Sequence, residues 1–274
     1  MPVKITTESA SDLSREMLSE FGVTVIPMNI IVDGKDYKDG ETLTSRQMLA
    51  MDKTAKTAAV NTEEYKAVFS SLRNQGYDIV HVALSSGISS TYNNAVNAAK
   101  DFDNVYIVDS LSLSGGAGFL CVIAAQLASS GESAVDIVRV LEKKRDKIRT
   151  SFVLEDLEHM KRGGRCTAIE ALGANFLGIR PSIELTDGRL RAAKKFHGKP
   201  PAARLRYIDF KITSDDPDRT VCFMNHTLES EEEIEELRNL LETKYGFERV
   251  FVNRAGCCIA AHCGKNCMGV IYAE

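Results

Sequence analysis

Apolar and polar positions in the first 150 residues switch repeatedly between a strand period and a helix period. Residues 3–6 read as a short strand. Ser11 and Asp12 then offer caps for a helix to about Glu20, stopped by Gly22. Residues 23–32 are apolar and β-branched and run into Asp33-Gly34, as a strand entering a turn does. Thr44 or Ser45 caps a short helix through Met51. Asn61 with Glu64 three residues later is an N-terminal capping pattern, and Tyr65, Val68, Phe69 and Leu72 mark one helical face. Residues 56–60 are therefore an extended lead-in, with Thr57 in a loop. A strand at 79–84, a helix at 90–100, a strand at 105–108, an apolar helix at 115–128 and a helix at 134–148 capped by Ser133 follow. Strand and helix alternating through short loops predict a parallel sheet covered by helices.

The pattern changes after about Thr150. Residues 152–154 look extended, a short helix ends at Gly163-Gly164, and a second apolar segment spans 172–177. Residues 180–185 and 190–196 around Asp187-Gly188 predict a hairpin. Lys199-Pro200-Pro201 starts a helix, 221–224 is a strand, and 229–245 is an acidic amphipathic helix with Ile234, Leu237, Leu240 and Leu241 on one side. Strands at 251–252 and 270–272 complete the chain. The expected class is α/β, with an N-terminal α/β domain over residues 1–150 and a C-terminal α+β domain with a mixed sheet over 151–274.

Charge and composition narrow the function. The 274 residues are 44% hydrophobic and carry a formal net charge of −4, without the basic stripe of a nucleic-acid binder or the polarity of a disordered chain. Glu8, Asp12, Arg15 and Glu16 interrupt the first twenty residues, so no secretory signal is read there. The apolar run at 115–128 carries Gln126 and falls short of the roughly 20 residues that span a bilayer, which predicts a buried helix in a soluble protein. Seven cysteines, an odd number, fit reduced thiols in a cytoplasm.

The stretch from His81 to Ala99 crowds Ser85, Ser86, Ser89, Ser90 and Thr91 around Gly87, between a strand and a helix. Such a turn presents free backbone N–H groups at the positive end of a helix dipole, a natural anion site. No Lys or Arg stands between His81 and Lys100, and neither GxxxxGK[ST] nor GxGxxG is present, so one carboxylate fits better than a nucleotide phosphate. Helix capping by the same serines is the alternative. Thr57, one β-α unit earlier, is expected at the same sheet edge, where ligands of parallel sheets bind. The loop after Val108 is a third neighbour. Its Gly115, Gly116, Ala117 and Gly118 either leave space beside the sheet or permit close helix packing.

Other constellations carry less. Cys257, Cys258, His262, Cys263 and Cys267 fall within eleven residues, but without the paired CxxC spacing of a zinc site; buried thiols and no metal are the reading. A serine hydrolase would use Ser86 or Ser89 with His262 and an acid such as Asp109, yet the GxSxG elbow is missing. Arg165 and Arg180 either contact a ligand or bridge domains. His81 is read as structural, and His159, His197 and His226 are assigned no role.

Six segments, in order, resemble the DegV family of bacterial fatty-acid-binding proteins: TTESASDL, KTAAVNTEEY, SSGISSTYNNA, VDSLSLSGGAG, LEDLEHMKRGGR and AAHCGKNCMGVIY. The resemblance covers essentially the whole chain. It implies two domains with one long-chain fatty acid, such as palmitate or oleate, between them, the C-terminal domain closing over the ligand. It also implies that Thr57 and Ser89 bind the carboxylate, with His262 near the head group. Ser86, Ser90, Thr91, Gly115, Gly116 and Arg165 are further candidate contacts to the head group or its loops; Phe119, Leu120 and Ile123 are candidate tail contacts, with ordinary core packing the favoured reading of each. No cofactor is implied. Members of the FakB type are not enzymes themselves; they hand the acid to a separate fatty acid kinase subunit that makes an acyl phosphate with ATP. Transient membrane contact for ligand exchange is a further expectation for this chain. Three departures from the family pattern stand out: Ser90 for a glycine, Lys265-Asn266 for Pro-Gly, and Phe196-His197-Gly198 in place of an Arg-Thr pair.

Overall fold

The computed structural model describes residues 1–51, 53–165 and 178–274. The apolar segment expected at 172–177 and Cys166 lie outside the described residues. Strands β1 (Val3–Glu8), β2 (Thr24–Ile26), β6 (Asp78–Ala83) and β7 (Val105–Asp109) form a parallel sheet in the order β2-β1-β6-β7. Helices α3 (Thr62–Asn74) and α4 (Thr91–Ala99) cover one face: Tyr65, Phe69 and Leu72 pack with Ile79, Ala95 and Ala98. The capping box expected at Asn61 and Glu64 is formed. Helices α5 (Gly115–Ser129) and α6 (Ala134–Lys144) cover the other face, with Leu120, Cys121, Ile137 and Leu141 against Ile5, Val80 and Val82.

A second sheet runs in the order β10-β9-β8-β13-β11-β12, from β8 (Ile148–Val153), β9 (Ile179–Thr186), β10 (Arg189–His197), β11 (Val221–His226), β12 (Arg249–Arg254) and β13 (Met268–Ala273). It is mixed, because β11 and β12 pair in parallel while the other neighbours are antiparallel. Helices α8 (Pro200–Asp215) and α9 (Glu231–Thr243) bury Tyr207, Ile208, Leu237 and Leu241 on its outer face. Its inner face meets α5, so that Phe223 and Ile271 share a core with Leu120 and Val82. The class is therefore the expected one: a parallel sheet with helices, then a mixed sheet. The 150/151 division falls inside β8. The hairpin turn is also as expected, with Asp187 and Gly188 at φ 50° and 71°, the left-handed pair of a type I′ turn.

Three other expectations change. Residues 23–32 are two strands: β2 joins the parallel sheet, whereas β3 (Asn29–Val32) joins β4 (Lys35–Lys38) and β5 (Ala55–Ala58) in a small antiparallel sheet. Pro27, which has no N–H for a ladder, stands at the break. Ser11 and Asp12 do not cap the first helix, α1 (Arg15–Phe21). Asp12 has left-handed backbone (φ 52°), and the cap is Ser14, which accepts from Met17 N at 3.2 Å. The helix expected to reach residue 148 ends at Lys144, because Ile148 already pairs with Ala273 in the second sheet. Three further short helices are α2 (Ser45–Ala50), α7 (Glu158–Arg162) and α10 (Cys257–Cys263), and Ser9–Ser11 and Arg145–Lys147 form single 3-10 turns.

The small residues opening α5 serve close packing. A Cβ on Gly115 would stand 2.9 Å from Asn225 Oδ1. One on Gly116 would overlap Ser112 Oγ and Thr150 Oγ1, which hydrogen-bond each other at 2.8 Å. Gly116→Ala is therefore expected to destabilise the protein by about 1–3 kcal/mol through overpacking, although alanine favours helix over glycine. Urea unfolding of the purified variant measures this.

Candidate functional site

A cavity of about 550 Å³ lies between the C-terminal ends of β6 and β7, the small sheet and the inner face of the second sheet. Leu84, Ile88, Leu113, Phe152, Leu190 and Ile271 supply much of its apolar wall. Ser86, Gly87, Ser90 and Asn93 are exposed at its rim, whereas Ser114 and Asn225 are buried in its wall. The volume sits within the roughly 300–1,000 Å³ typical of ligand sites.

Thr57 reaches this cavity from β5, where it pairs with Ile30 of β3. The expected loop position is thus replaced by a strand of a different sheet, and the parallel-sheet argument does not account for its location. Its Oγ1 lies 3.0 Å from Nε2 of His262, at the C-terminal end of α10. The other end of that helix is held by two buried carboxylates. Asp39 accepts from Cys257 N (2.7 Å), Cys258 N (3.1 Å) and Ser9 Oγ (2.9 Å), and Asp12 accepts from Gly256 N (2.8 Å) and Ser114 Oγ. Burial, with a smaller push from Asp39, lifts the Asp12 carboxyl to about 7 against the hydrogen bonds that favour its anion.

Burial, aided by the Arg165 charge, holds His262 down to about 4, so its imidazole is neutral at pH 7. Its buried Nδ1 has no hydrogen-bond partner among the described residues. Ser89 Oγ accepts from Thr91 N at 3.3 Å at the start of α4, which leaves its O–H free to donate. The N-cap of α4 is Ser90, which makes no side-chain cap bond, and the local Ser89–Thr91 bond is compatible with ligand binding by the same hydroxyl. Ser85 turns away and donates to Gly188 O at 2.7 Å, docking the β9–β10 hairpin on the serine loop.

Among the remaining expected contacts, Ser86, Ser90 and Arg165 line the cavity; Thr91, Gly115 and Gly116 do not. Thr91 is buried against Tyr65 OH at 3.0 Å. Phe119, Leu120 and Ile123 belong to the core around α5 and do not line the cavity either. Arg180 is likewise absent from its wall, with its guanidinium on Ile179 O. Asp109 accepts from Ser86 N (3.2 Å) and Leu111 N (3.0 Å) and makes no bond to His262, so the Ser-His-Asp arrangement is not assembled. Cys258, Cys263 and Cys267 line the cavity, while Cys257 Sγ lies 3.2 Å from Leu43 O. Among the described residues no group of three or more His, Cys, Asp or Glu is placed to hold a metal.

Sequence reasoning missed Met28, Ser114, Asn225 and His226 in the wall. Asn225 had a signal, as a polar residue in the apolar strand VCFMNH. Ser114 lies in the segment VDSLSLSGGAG and in the loop expected as a third neighbour of the site, but its own place in the wall depends on a strained backbone of φ 51° and ψ −137°. His226 accepts from Leu228 N at 3.1 Å and is held down to about 4, mainly by burial.

The family profile described as "Uncharacterised protein, DegV family" matches residues 2–274. A DegV domain-containing protein of Caldanaerobacter subterraneus is 29% identical, covering 99% of each chain. Among solved structures, a DegV family protein from Thermus thermophilus, described by its fatty acid binding, is 26% identical with a TM-score of 0.89 over 100% of both chains. DegV of Bacillus subtilis, described as a fatty acid binding protein, shares the fold at 23% identity and a TM-score of 0.88, covering 100% of this chain and 99% of that one.

The depressed histidines set an acid response. Their folded pKa of about 4 lies below the unfolded value, so the unfolded chain takes up protons first as pH falls. Stability drops by about 1.4 kcal/mol per unit and per histidine between roughly pH 6.5 and 4. Asp12, raised to about 7, acts in the opposite sense, since its protonated form favours the folded state. His262→Gln leaves Asp12 and His226 in place. It should reduce the loss of unfolding free energy between pH 7 and 4.5 by about 2–3 kcal/mol, measured by urea titration at each pH.

Proposed function

The chain belongs to the DegV family, and on that premise we propose that it binds one long-chain fatty acid, its carboxylate held by Thr57, Ser89 and His262 and its alkyl chain in the cavity. The observation that carries this reading is the meeting of Thr57 and His262, 205 residues apart in sequence, at 3.0 Å on the wall of a largely apolar cavity of about 550 Å³. Ser89 lines the same cavity with a free O–H. Relatives of the same fold described as fatty-acid-binding proteins support it.

Burying an acyl chain gains about 0.8 kcal/mol per methylene, on the order of 10 kcal/mol gross for a long chain. The head group then needs orientation, which hydroxyls and a neutral imidazole supply, with the Arg165 charge nearby. Because Ser86, Gly87 and Ser90 are exposed at the rim, a carboxylate beside them is within reach of a second protein. The proposal therefore includes presentation of the acid to a separate fatty acid kinase subunit, which forms the acyl phosphate from ATP. In this role the chain is a binding protein of the cytoplasm that touches membranes transiently to exchange ligand. Among the described residues no helix is long and apolar enough to cross a membrane. The three departures from the family pattern bear on the handoff: Ser90 and Lys265 are exposed, and so is His197 at the end of β10.

Mass spectrometry after gentle denaturation should find one fatty acid per chain, co-purified or taken up from added palmitate or oleate. Thr57→Val and Ser89→Ala should each weaken binding by about 1.5–3 kcal/mol, the worth of a hydrogen bond to a charged group, with the fold preserved by circular dichroism. A protein that takes up neither acid overturns the function. Unchanged retention in the double variant overturns the head-group assignment.

A further inference from the structure

We propose that Gly163 is a positioning residue for His262, the bare backbone against which the imidazole is set so that Nε2 faces Thr57. The inference rests on the reading of His262 as a head-group residue.

Helices α7 and α10 meet through two reciprocal contacts. A Cβ on Gly163 would overlap His262 Nδ1 and stand 2.6 Å from its Cε1; a Cβ on Gly264 would stand 2.5 Å from His159 Nδ1 and 2.9 Å from its Cγ. Each segment thus offers a glycine to the other's histidine. The two adjacent glycines after α7 differ in kind. Gly164 has φ 69°, in the left-handed region where glycine is favoured. Gly163 has φ −78° and ψ −3°, allowed for other residues, and its N–H donates to His159 O at 2.9 Å. The turn therefore does not require glycine at 163; the demand there is for space.

That space is taken by one edge of the His262 ring. Nδ1 faces the Gly163 backbone and bonds nothing among the described residues, while Nε2 stands 3.0 Å from Thr57 Oγ1. The ring is held between a strand of the small sheet and the turn after α7. Because it is the end of a side chain, an added methyl at 163 would displace the ring before it displaced backbone. A hydrogen bond to a carboxylate depends steeply on donor placement, so this shift reaches the ligand without touching it.

The test measures palmitate affinity for the wild type, Gly163→Ala, His262→Ala and the double variant, with the His262 imidazole followed by NMR. Gly163→Ala is expected to weaken palmitate binding about tenfold and to shift the His262 ring resonances. In the His262→Ala background it should have no further effect, since the group it positions is gone. An additional loss in that background means that Gly163 acts through the fold, and overturns the inference. So does Gly163→Ala with wild-type affinity alongside a weakened His262→Ala. If His262→Ala binds palmitate normally, the head-group reading of His262 fails separately, and the ring resonances alone decide: unmoved, they overturn the positioning role; shifted, they uphold it. Should Gly163→Ala not fold, recovery of folding in the double variant upholds the clash with His262, and no recovery overturns it.

Discussion

Everything at the cavity depends on where α10 is held. Its seven residues carry Cys258 and His262 to the wall, and a helix this short has little stability of its own. Its first backbone N–H groups are satisfied by carboxylates from distant parts of the chain, Asp39 on Cys257 and Cys258 and Asp12 on the preceding Gly256. At Asp12 burial, with a push from Asp39, outweighs these donors and lifts the carboxyl to about 7, while the bonds to Gly256 N and Ser114 Oγ remain in place. The result fixes α10 between the small sheet, the start of the parallel sheet and α7, and so fixes the direction of His262.

A second polar cluster holds the opposite wall. Glu8 accepts from His81 Nε2 (2.9 Å), Leu84 N (2.9 Å) and Tyr65 OH, and Tyr65 also meets Thr91. Burial would raise the Glu8 carboxyl, but His81 and these donors outweigh it and hold it below the usual range. Each member comes from a different element: β1, β6, α3, and the two ends of the serine loop. A satisfied buried network of this kind rigidifies what it joins, and here it anchors both ends of the loop that carries Ser89. His81, read as structural from its strand position, is central to it.

What was legible follows the range of the signal. The α3 cap and stripe, the Asp187-Gly188 turn and the serine loop announce themselves within a few residues, because the groups that stabilise them are local. Thr57, Ser89 and His262 were singled out through a loop argument and a family resemblance, and the structure places all three on one cavity, although Thr57 arrives on a strand. Pro27 did signal the break, but not that the two halves join different sheets, because a β-branched run reads the same whichever sheet it pairs in. Helix α10 was missed because its caps lie more than two hundred residues away, so no Ser, Thr, Asp or Asn precedes it. The glycines of α5 were open to two readings, room for a ligand or close packing, because sequence alone does not distinguish a gap from a partner that fills it.

The proposed head-group set is uncharged apart from the nearby arginine, and that has a consequence for how such a site works. A carboxylate leaving water loses strong hydration, and a fully buried cation placed to meet it would carry a desolvation cost of its own. Hydroxyls that already accept one local bond, as Ser89 does from Thr91, lose little on turning their remaining hydrogen to the ligand. Each such bond contributes about 1.5–3 kcal/mol, against roughly 10 kcal/mol gross from a buried long chain. Under the proposed function, affinity would follow the length of the hidden chain, while a clasp of Thr57, Ser89 and His262 would select for a terminal acid and set which end faces the rim. An acid held tightly by its tail and lightly by its head keeps its reactive end near the surface, which suits a protein that presents its ligand rather than transforming it.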